Sequence, residues 1–272
     1  MKKFGFTLAE VLITLGIVGV VAALTAPALV QNAGSAQIGP KLAKAVNTFE
    51  VANENLLSDT GAATVVGAGA TGGDASSTSV NYINNLSNYM KVNYSSEASL
   101  SSSEKYSRFI KDYNGNSIVD YTTKPINEIR PGSSIVKTEE RSAKSIRIMQ
   151  ASHNIGLSKE GMIFGIDLNE NSRPGGTMSY TAWGSPEEGL TGSVPHKQQI
   201  GTLIIDINGY AKPNRLGKDL FAFALMADGS LVPVGYSGAW NVASTACNST
   251  KVVDGYTCAG SVFENNLKVI YQ

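Results

Sequence analysis

Charged residues are scarce in this chain: they make up 16% of its 272 positions, below the usual quarter or so. The 22 Lys and Arg residues are balanced by 22 Asp and Glu residues, so there is no net charge to attract nucleic acid or an acidic partner. Two cysteines and two histidines are too few for a Cys/His zinc site of the ordinary kind. The hydrophobic content of 42% excludes a wholly disordered chain.

The usual signatures of catalysis are also missing. The chain contains no Gly-x-Ser-x-Gly nucleophile elbow, no His-Glu-x-x-His and no P-loop. The segment Gly67-x-Gly69-x-x-Gly72 matches the dinucleotide fingerprint, but it lacks the preceding strand and the following helix that such a site needs. A flexible Gly-, Ala- and Ser-rich loop explains it better. We therefore expect no enzyme, and no cofactor apart from the calcium ion considered below.

What the chain does have is one long apolar run at its N-terminus. The leader, residues 1–5, reads MKKFG, and 18 of the 25 residues at positions 6–30 are Ala, Val, Ile, Leu or Phe. As a helix, this run would rise roughly 37 Å, enough to cross a hydrocarbon core of roughly 30 Å. Lys2 and Lys3 precede it, so the positive-inside rule keeps the leader in the cytoplasm and sends the rest of the chain outward.

Two ordinary interpretations of this run leave one residue unexplained. It could be a secretory signal peptide cut after Ala28, where Ala26 and Ala28 supply an A-x-A pattern, or it could be an uncleaved anchor. Neither accounts for Glu10, because a carboxylate near the bilayer centre costs roughly 2.5–3.5 kcal/mol, although less near its edge. An acid inside such a segment is a functional hypothesis by default.

The residues around Glu10 carry a resemblance to a known family. The string GFTLAE at residues 5–10, followed by VLITLGIVGVVAAL, is similar to the class III signal of type IV pilins and type II secretion pseudopilins. The resemblance covers roughly residues 1–57. It implies that a membrane-embedded prepilin peptidase cuts between Gly5 and Phe6 and N-methylates Phe6, and that the hydrophobic helix is retained. It also implies assembly into a filament with other pilin-like subunits.

The resemblance gives Glu10 a role in assembly. Cleavage after Gly5 removes both leader lysines and creates an ammonium at Phe6, and the carboxylate of Glu10 can pair with that ammonium on a neighbouring subunit. Pairing offsets part of the desolvation that each charge suffers alone. Identical head-to-tail packing by a rotation that does not close produces a filament.

Pro27 lies near the outer end of the apolar run. Proline removes a helical hydrogen bond, so a kink or local melting is expected there, as at the similarly placed proline of pilin helices. The alternative is that Pro27 simply marks the end of the membrane span. Farther along, Gly39-Pro40 predicts a break or bend.

The helical period resumes at Lys41, where an apolar stripe steps by three or four residues. Its members are Leu42, Val46, Phe49, Ala52 and Leu56. We therefore divide the chain into a leader (1–5), a transmembrane and assembly helix (6–30), the outer half of the same helix (31–58) and an extracytoplasmic globular domain (59–272). We call this last domain the head.

The head has helix signals first and strand signals later. Short helices are expected near 82–92 and 103–112. From about residue 143 the chain contains short segments rich in Ile, Val, Phe and Leu that end in turn residues: SIRIMQ, EGMIFGIDL, IGTLIIDING, KDLFAFALM, DGSLVPVG and NLKVIYQ. Asn208-Gly209 and Asp228-Gly229 are hairpin signals. A long helix followed by an antiparallel β-sheet gives an α+β fold, and by resemblance a pilin-like one.

A second, weaker resemblance lies between two of these strands. A stretch in C-terminal domains of bacterial proteins with prepilin-type N-termini is similar to three consecutive pieces of this segment: Asp206-x-Asn208-Gly209, Lys212-Pro213-Asn214 and Gly217-x-Asp219-x-Phe221-x-Phe223. Asp206, Asn208 and Asp219 are oxygen donors, so a calcium site is one interpretation. The favoured alternative is Asx-turn chemistry, in which these side chains bind the local backbone.

Cys247 and Cys258 enclose ten residues near the C-terminus. If the domain is exported, one disulfide is the simplest arrangement, and type IV pilins similarly close a C-terminal loop in this way. A loop of this size contributes roughly 2–3 kcal/mol in the chain-entropy model. A pair of free thiols would instead fit a cytosolic protein.

The sequence thus predicts a structural subunit, a prepilin or pseudopilin, and the length of the chain favours a minor one. It is anchored by a single pass in the bacterial cytoplasmic membrane with its C-terminal domain outside. After assembly it would lie in a type IV pilus-like or type II secretion pseudopilus filament. The alternatives are a membrane- or pilus-tethered binding or adhesion module and a secreted protein with a cleaved ordinary signal peptide. No nucleic-acid partner is expected from the charge.

Overall fold

The computed structural model describes residues 7–60, 82–90, 92–96, 109–118, 154–168, 199–226, 229–236 and 255–265. These residues form one long helix, a six-stranded sheet, a short helix near the C-terminus and a single helical segment at 82–86. The elements are α1 (Leu8–Thr60), β1 (Val92–Ser96), β2 (Asn154–Ser158), β3 (Ile163–Leu168), β4 (Gln199–Asp206), β5 (Leu220–Met226), β6 (Leu231–Pro233) and α2 (Cys258–Glu264). The predicted strands at 145–150 and 266–272 lie outside the described residues.

Helix α1 runs without interruption through all 53 of its residues. The break predicted at Gly39-Pro40 is therefore wrong, and the alternative of a bend there stays a prediction. A proline inside a helix costs about 3 kcal/mol, and the turns that follow Pro40 recover this by packing on the sheet, where Leu42, Val46 and Phe49 are buried. The helix also continues past Pro27, and the kink there stays a prediction.

The strands follow one another in space as they do in sequence. Every neighbouring pair is antiparallel, in the order β1-β2-β3-β4-β5-β6. The predicted α+β class, with a long N-terminal helix and a C-terminal antiparallel sheet, is confirmed. The expected helix near 82–92 is present at 82–86, whereas the one expected at 103–112 is wrong for residues 109–112, which contain no α-helix.

The core lies between the outer half of α1 and one face of the sheet. All five residues of the predicted stripe are buried in it. Phe49 of α1 packs edge-on against Phe164 of β3, with ring centroids 6.0 Å apart. Every residue of β5, which lies between β4 and β6, is buried, so both faces of this strand are covered. Fully burying a large apolar side chain is worth about 1.5–3 kcal/mol, which makes the stripe the main stabilising contact of α1.

Polar contacts hold α1 on the sheet at both sides of this apolar stripe. Lys44 forms a 2.9 Å ion pair with Glu160 in the β2–β3 turn, but both side chains are more than half exposed, so it adds little. Asn53 is fully buried. Its Nδ2 donates to the carbonyl oxygen of Gly229 at 3.1 Å, and its Oδ1 accepts a hydrogen bond from the Tyr82 hydroxyl. Burial raises the pKa of Tyr82, so that hydroxyl keeps the proton that it donates.

Gly229 brings the β5–β6 turn close to α1. The energetic importance of this close approach can be tested by comparing an alanine substitution at Gly229 with one at Gly161. Gly229 and Gly161 have nearly equal φ, +84° and +85°, but an added Cβ would lie 2.9 Å from Asn53 Cβ at Gly229 and would meet nothing at Gly161. We expect Gly161→Ala to lower the free energy of unfolding by about 1–2 kcal/mol from backbone strain alone. Gly229→Ala should cost about 1–3 kcal/mol more from overpacking.

The measurement is urea unfolding of the full chain in detergent micelles, followed by circular dichroism. Gly161→Ala is the matched control, because it carries the same backbone penalty without the steric one. Equal destabilisation by the two substitutions would show that α1 does not approach the turn as closely as the structure has it.

Candidate functional site

Two sets of sequence-predicted residues define the candidate sites: the start of α1 and the loop between β4 and β5. Gly5 and Phe6 lie outside the described residues, so the predicted processing site is not tested by geometry. Residue 7 onward is described, and Glu10 occupies the first turn of α1.

The first turn of α1 is closed by a reciprocal capping box. The backbone N–H of Thr7 donates to Glu10 Oε2 at 2.8 Å, and the backbone N–H of Glu10 donates to Thr7 Oγ1 at 3.3 Å. The Thr7 hydroxyl also donates to Glu10 Oε2 at 3.0 Å. The Thr-x-x-Glu spacing before an apolar run is the sequence signal of this motif, which our sequence analysis did not use. The Glu10 carboxylate is thus held at the helix N-terminus, where negative charge is favoured.

The apolar side chains of the first part of α1, on both sides of Glu10, are exposed. Leu8 is 80% exposed and Leu24 is 75% exposed, and every residue from 8 to 25 is classed as exposed. Within the described residues, Leu8–Thr25 is long and apolar enough to cross a membrane, a test that a signal sequence near the N-terminus also passes. An exposed apolar surface of this size marks a membrane or interaction site.

In the β4–β5 loop, Asp206 organises the first turn. Asp206 ends β4 and is completely buried. Its Oδ1 accepts the backbone N–H groups of Asn208 at 2.9 Å and Gly209 at 2.8 Å. The Asn208 amide in turn donates to the carbonyl oxygen of Lys212 at 3.3 Å. This is an Asx turn, in which the side chain of an aspartate replaces a backbone acceptor.

Asp219 organises the second half of the same loop. Its Oδ2 accepts the backbone N–H of Asn214 at 2.7 Å, and its Oδ1 accepts that of Arg215 at 2.6 Å. Asn214 has φ of +51°, a left-handed conformation that asparagine tolerates better than most residues. Burial raises the pKa of Asp219. Burial, and after it the charge of Asp219, raises the pKa of Asp206 to about 8.

These contacts bear on the calcium interpretation. The structure brings Asp206, Asn208 and Asp219 into one loop, as the sequence predicted, but three of the four carboxylate oxygens already accept backbone N–H groups. Across the described part of the chain, no group of three or more His, Cys, Asp or Glu side chains could hold a metal ion. The geometry is that of the Asx-turn alternative, and calcium binding stays a prediction.

The β4–β5 loop is also fastened to its neighbours. The backbone N–H of Lys111 donates to the carbonyl oxygen of Asn214 at 2.9 Å, and that of Leu216 donates to the carbonyl oxygen of Lys111 at 3.0 Å. The Lys218 ammonium lies 4.8 Å from the centroid of the Tyr113 ring, a cation–π contact. The loop is therefore a structural junction of the head.

Cys258 lies on the other side of this junction. It starts α2, is completely buried and packs against Gly217, where a Cβ would overlap its Sγ. Cys258 is not a free thiol in the structure. Cys247, its predicted partner, lies outside the described residues, so the bridge between the two stays a prediction.

Comparison with known proteins adds one finding, and it concerns the N-terminus. Residues 1–26 match the family model of the prokaryotic N-terminal methylation motif, the signal of type IV pilins and pseudopilins. The match includes the predicted processing site and Glu10 but no part of the sheet. Comparison of the chain with curated proteins and with solved structures found no match.

The capping box predicts a difference between two substitutions at Thr7. Thr7→Val removes the hydroxyl that accepts the Glu10 N–H and should destabilise the first turn by about 1 kcal/mol, whereas Thr7→Ser keeps the hydroxyl and serves as the control. Cα chemical shifts of residues 8–10 in micelles should move toward coil values only in the valine variant. Identical shifts in the two variants would mean that the box does not hold the helix start.

The raised pKa of Asp206 predicts a pH dependence of stability. Its pKa is 3.8 by the reference value and about 8 in the folded protein, so the folded state holds an extra proton between these values. The resulting stabilisation is fully present below the lower value and is lost as the pH rises through the upper one. Asp206→Asn keeps an acceptor oxygen but does not titrate. The Tm of the parent protein minus that of the variant should therefore fall as the pH rises from about 5 to about 9.

The Tm comparison is made in a chelator, so that no divalent cation contributes. A Tm difference that stays constant or rises with pH over this range would contradict the assignment of the extra proton to Asp206.

Proposed function

We propose that the chain is a structural subunit, a prepilin or pseudopilin. It is cut between Gly5 and Phe6, methylated at the Phe6 amine, and assembled through α1 into a type IV pilus-like or type II secretion pseudopilus filament. The observation that carries the proposal is the match of residues 1–26 to the N-terminal methylation motif, which suggests a pilin-like subunit. Prepilin peptidase and other pilin-like subunits are the proposed partners.

The form of α1 supports this role. The same helix presents a fully exposed apolar segment at Leu8–Thr25 and, farther on, the buried stripe that anchors it to the head. Because the helix is unbroken between these parts, a subunit that packs through its first half carries the head at a fixed place along the filament axis. An ordinary signal peptide, removed after export, would need no such continuity with the core.

Glu10 is the proposed assembly residue. In the isolated subunit its carboxylate is satisfied by Thr7 at the helix N-terminus. The methylated Phe6 amine of a neighbouring subunit keeps its positive charge and is a stronger donor to the same carboxylate. Before assembly we propose a single-pass location in the cytoplasmic membrane, with the head outside.

An exported head also favours the Cys247–Cys258 disulfide, because export places the chain where thiols are oxidised. The chain has two cysteines, so Cys247 is the partner that the chain itself offers to the buried Cys258. Mass spectrometry of peptides digested without reduction should recover the two cysteines in one linked pair.

The proposal is tested first at the N-terminus of the protein isolated from membranes. Mass spectrometry should find a terminal peptide that begins with N-methylated Phe6. A chain that begins near Pro27 or Leu29 would contradict the proposal and would indicate a secreted protein with a removed signal peptide. An intact Met1 in a host that has the peptidase would indicate a static anchor.

Filament incorporation tests Glu10 directly. Glu10→Ala should reduce incorporation by tenfold or more, while cleavage after Gly5 continues. Glu54→Ala is the matched control, since Glu54 is an exposed acid on the same helix but lies beyond the apolar segment. Immunoblots of sheared filament fractions against membrane fractions give the ratio. Equal losses in both variants would argue that the charge at position 10 has no specific part in assembly.

A further inference from the structure

Strand β6 is the last strand of the described sheet, and its pairing with β5 fixes which of its backbone groups point outward. The carbonyl oxygen of Ser230 accepts a hydrogen bond from β5, and the backbone N–H of Val234 donates one to β5. Because these groups alternate along an antiparallel strand, the carbonyl oxygen of Gly229 and the backbone groups of Leu231 and Pro233 point away from the sheet, while the N–H of Gly229 closes the turn on the carbonyl oxygen of Met226. An edge of this kind can recruit a strand from another chain.

Side chains of α1 occupy the first two of these outward positions. The backbone N–H of Leu231 donates to Glu50 Oε1 at 3.0 Å, and the carbonyl oxygen of Gly229 accepts from Asn53 Nδ2 at 3.1 Å. Glu50 and Asn53 are three residues apart, so both lie on the face of α1 that meets the sheet. A carboxylate acceptor and an amide donor thus stand side by side along the edge.

The third outward position, Pro233, has no free backbone donor and bonds to a residue just after the strand. Pro233 has no N–H to offer. Its carbonyl oxygen accepts the backbone N–H of Tyr236 at 3.2 Å. The three-residue length of β6 leaves few further groups for pairing.

The two α1 side chains make the bonds that a neighbouring strand would make. One residue of a parallel strand donates its N–H to a carbonyl oxygen of the edge and accepts the N–H two residues farther along through its own carbonyl oxygen. Asn53 supplies that donor to Gly229 and Glu50 supplies that acceptor to Leu231. The helix therefore replaces the hydrogen bonds of a missing strand.

We propose that α1 closes the β6 edge in this way, and that this closure keeps the sheets of two copies of the chain from joining edge to edge. The inference concerns the head and goes beyond the proposed function. It would stand if the N-terminus proved to be processed differently, and its failure would leave assembly through the first half of α1 untouched.

The first experiment measures amide hydrogen exchange at Leu231 in the full-length protein in micelles. Glu50→Met keeps the length of the side chain but removes its acceptor oxygens, whereas Glu50→Gln keeps an acceptor and is the matched control. A hydrogen bond to a charged acceptor is worth about 1.5–3 kcal/mol, so exchange at Leu231 should be about tenfold or more faster in the methionine variant. Exchange that is equally slow in both variants would overturn the role given to Glu50.

The second experiment measures joining of copies. Pro233→Thr restores an outward N–H without touching α1, so it remains informative if the Glu50 variant folds poorly. Sedimentation in micelles at rising protein concentration should show stronger self-association for Pro233→Thr, both alone and combined with Glu50→Met, than for the parent protein and for Glu50→Gln. All of these variants keep the apolar segment of α1, so any self-association through that segment is the same in each of them. Self-association of the double variant that matches the parent at every concentration would overturn the proposal.

Discussion

The head depends on one contact, the packing of the outer half of α1 against the sheet. The same helix lies in two environments, since its residues up to Thr25 are exposed and six of its residues between Leu42 and Leu56 belong to the core. The core therefore cannot form without the helix, and the helix cannot leave the sheet without exposing Phe49 and its neighbours. This dependence explains why α1 continues through Gly39 and Pro40, where local propensity predicts a break: the burial that follows outweighs the cost of the proline.

The loop between β4 and β5 shows a similar mutual dependence, here between buried polar groups. Asp206 and Asp219 are both buried, and the carboxylate of each accepts hydrogen bonds from backbone N–H groups of the loop. Buried acids without such partners would be costly, so the loop and the two aspartates stabilise one another. The same residue types in the same spacing would also suit a cation. Only the direction of the surrounding donors distinguishes the two uses, and here backbone N–H groups point at the oxygens.

Patterns that depend on neighbouring residues were readable from the sequence, and patterns that depend on distant ones were not. The apolar stripe of α1, strands β3 to β6 and the α+β class follow from local periodicity and are confirmed. Strands β1 and β2 were missed because VNYSS and NIGLS contain few of the β-branched and aromatic residues that mark strands. The partners of Glu50 and Asn53 at the β6 edge are more than 170 positions away. The capping box at Thr7 was readable but was overlooked.

Asn53 has a consequence for how α1 can move. An apolar stripe repeats every three or four residues, so a helix held by its stripe alone could slide by one turn and find similar contacts. The amide of Asn53 does not repeat: its oxygen takes the Tyr82 hydroxyl while its nitrogen serves the Gly229 carbonyl. After a one-turn shift, both buried partners would face apolar side chains, at a cost of about 1–3 kcal/mol each. The hydrogen bonds of this one amide therefore fix the axial position of α1 on the sheet, which the repeating apolar stripe alone would not do.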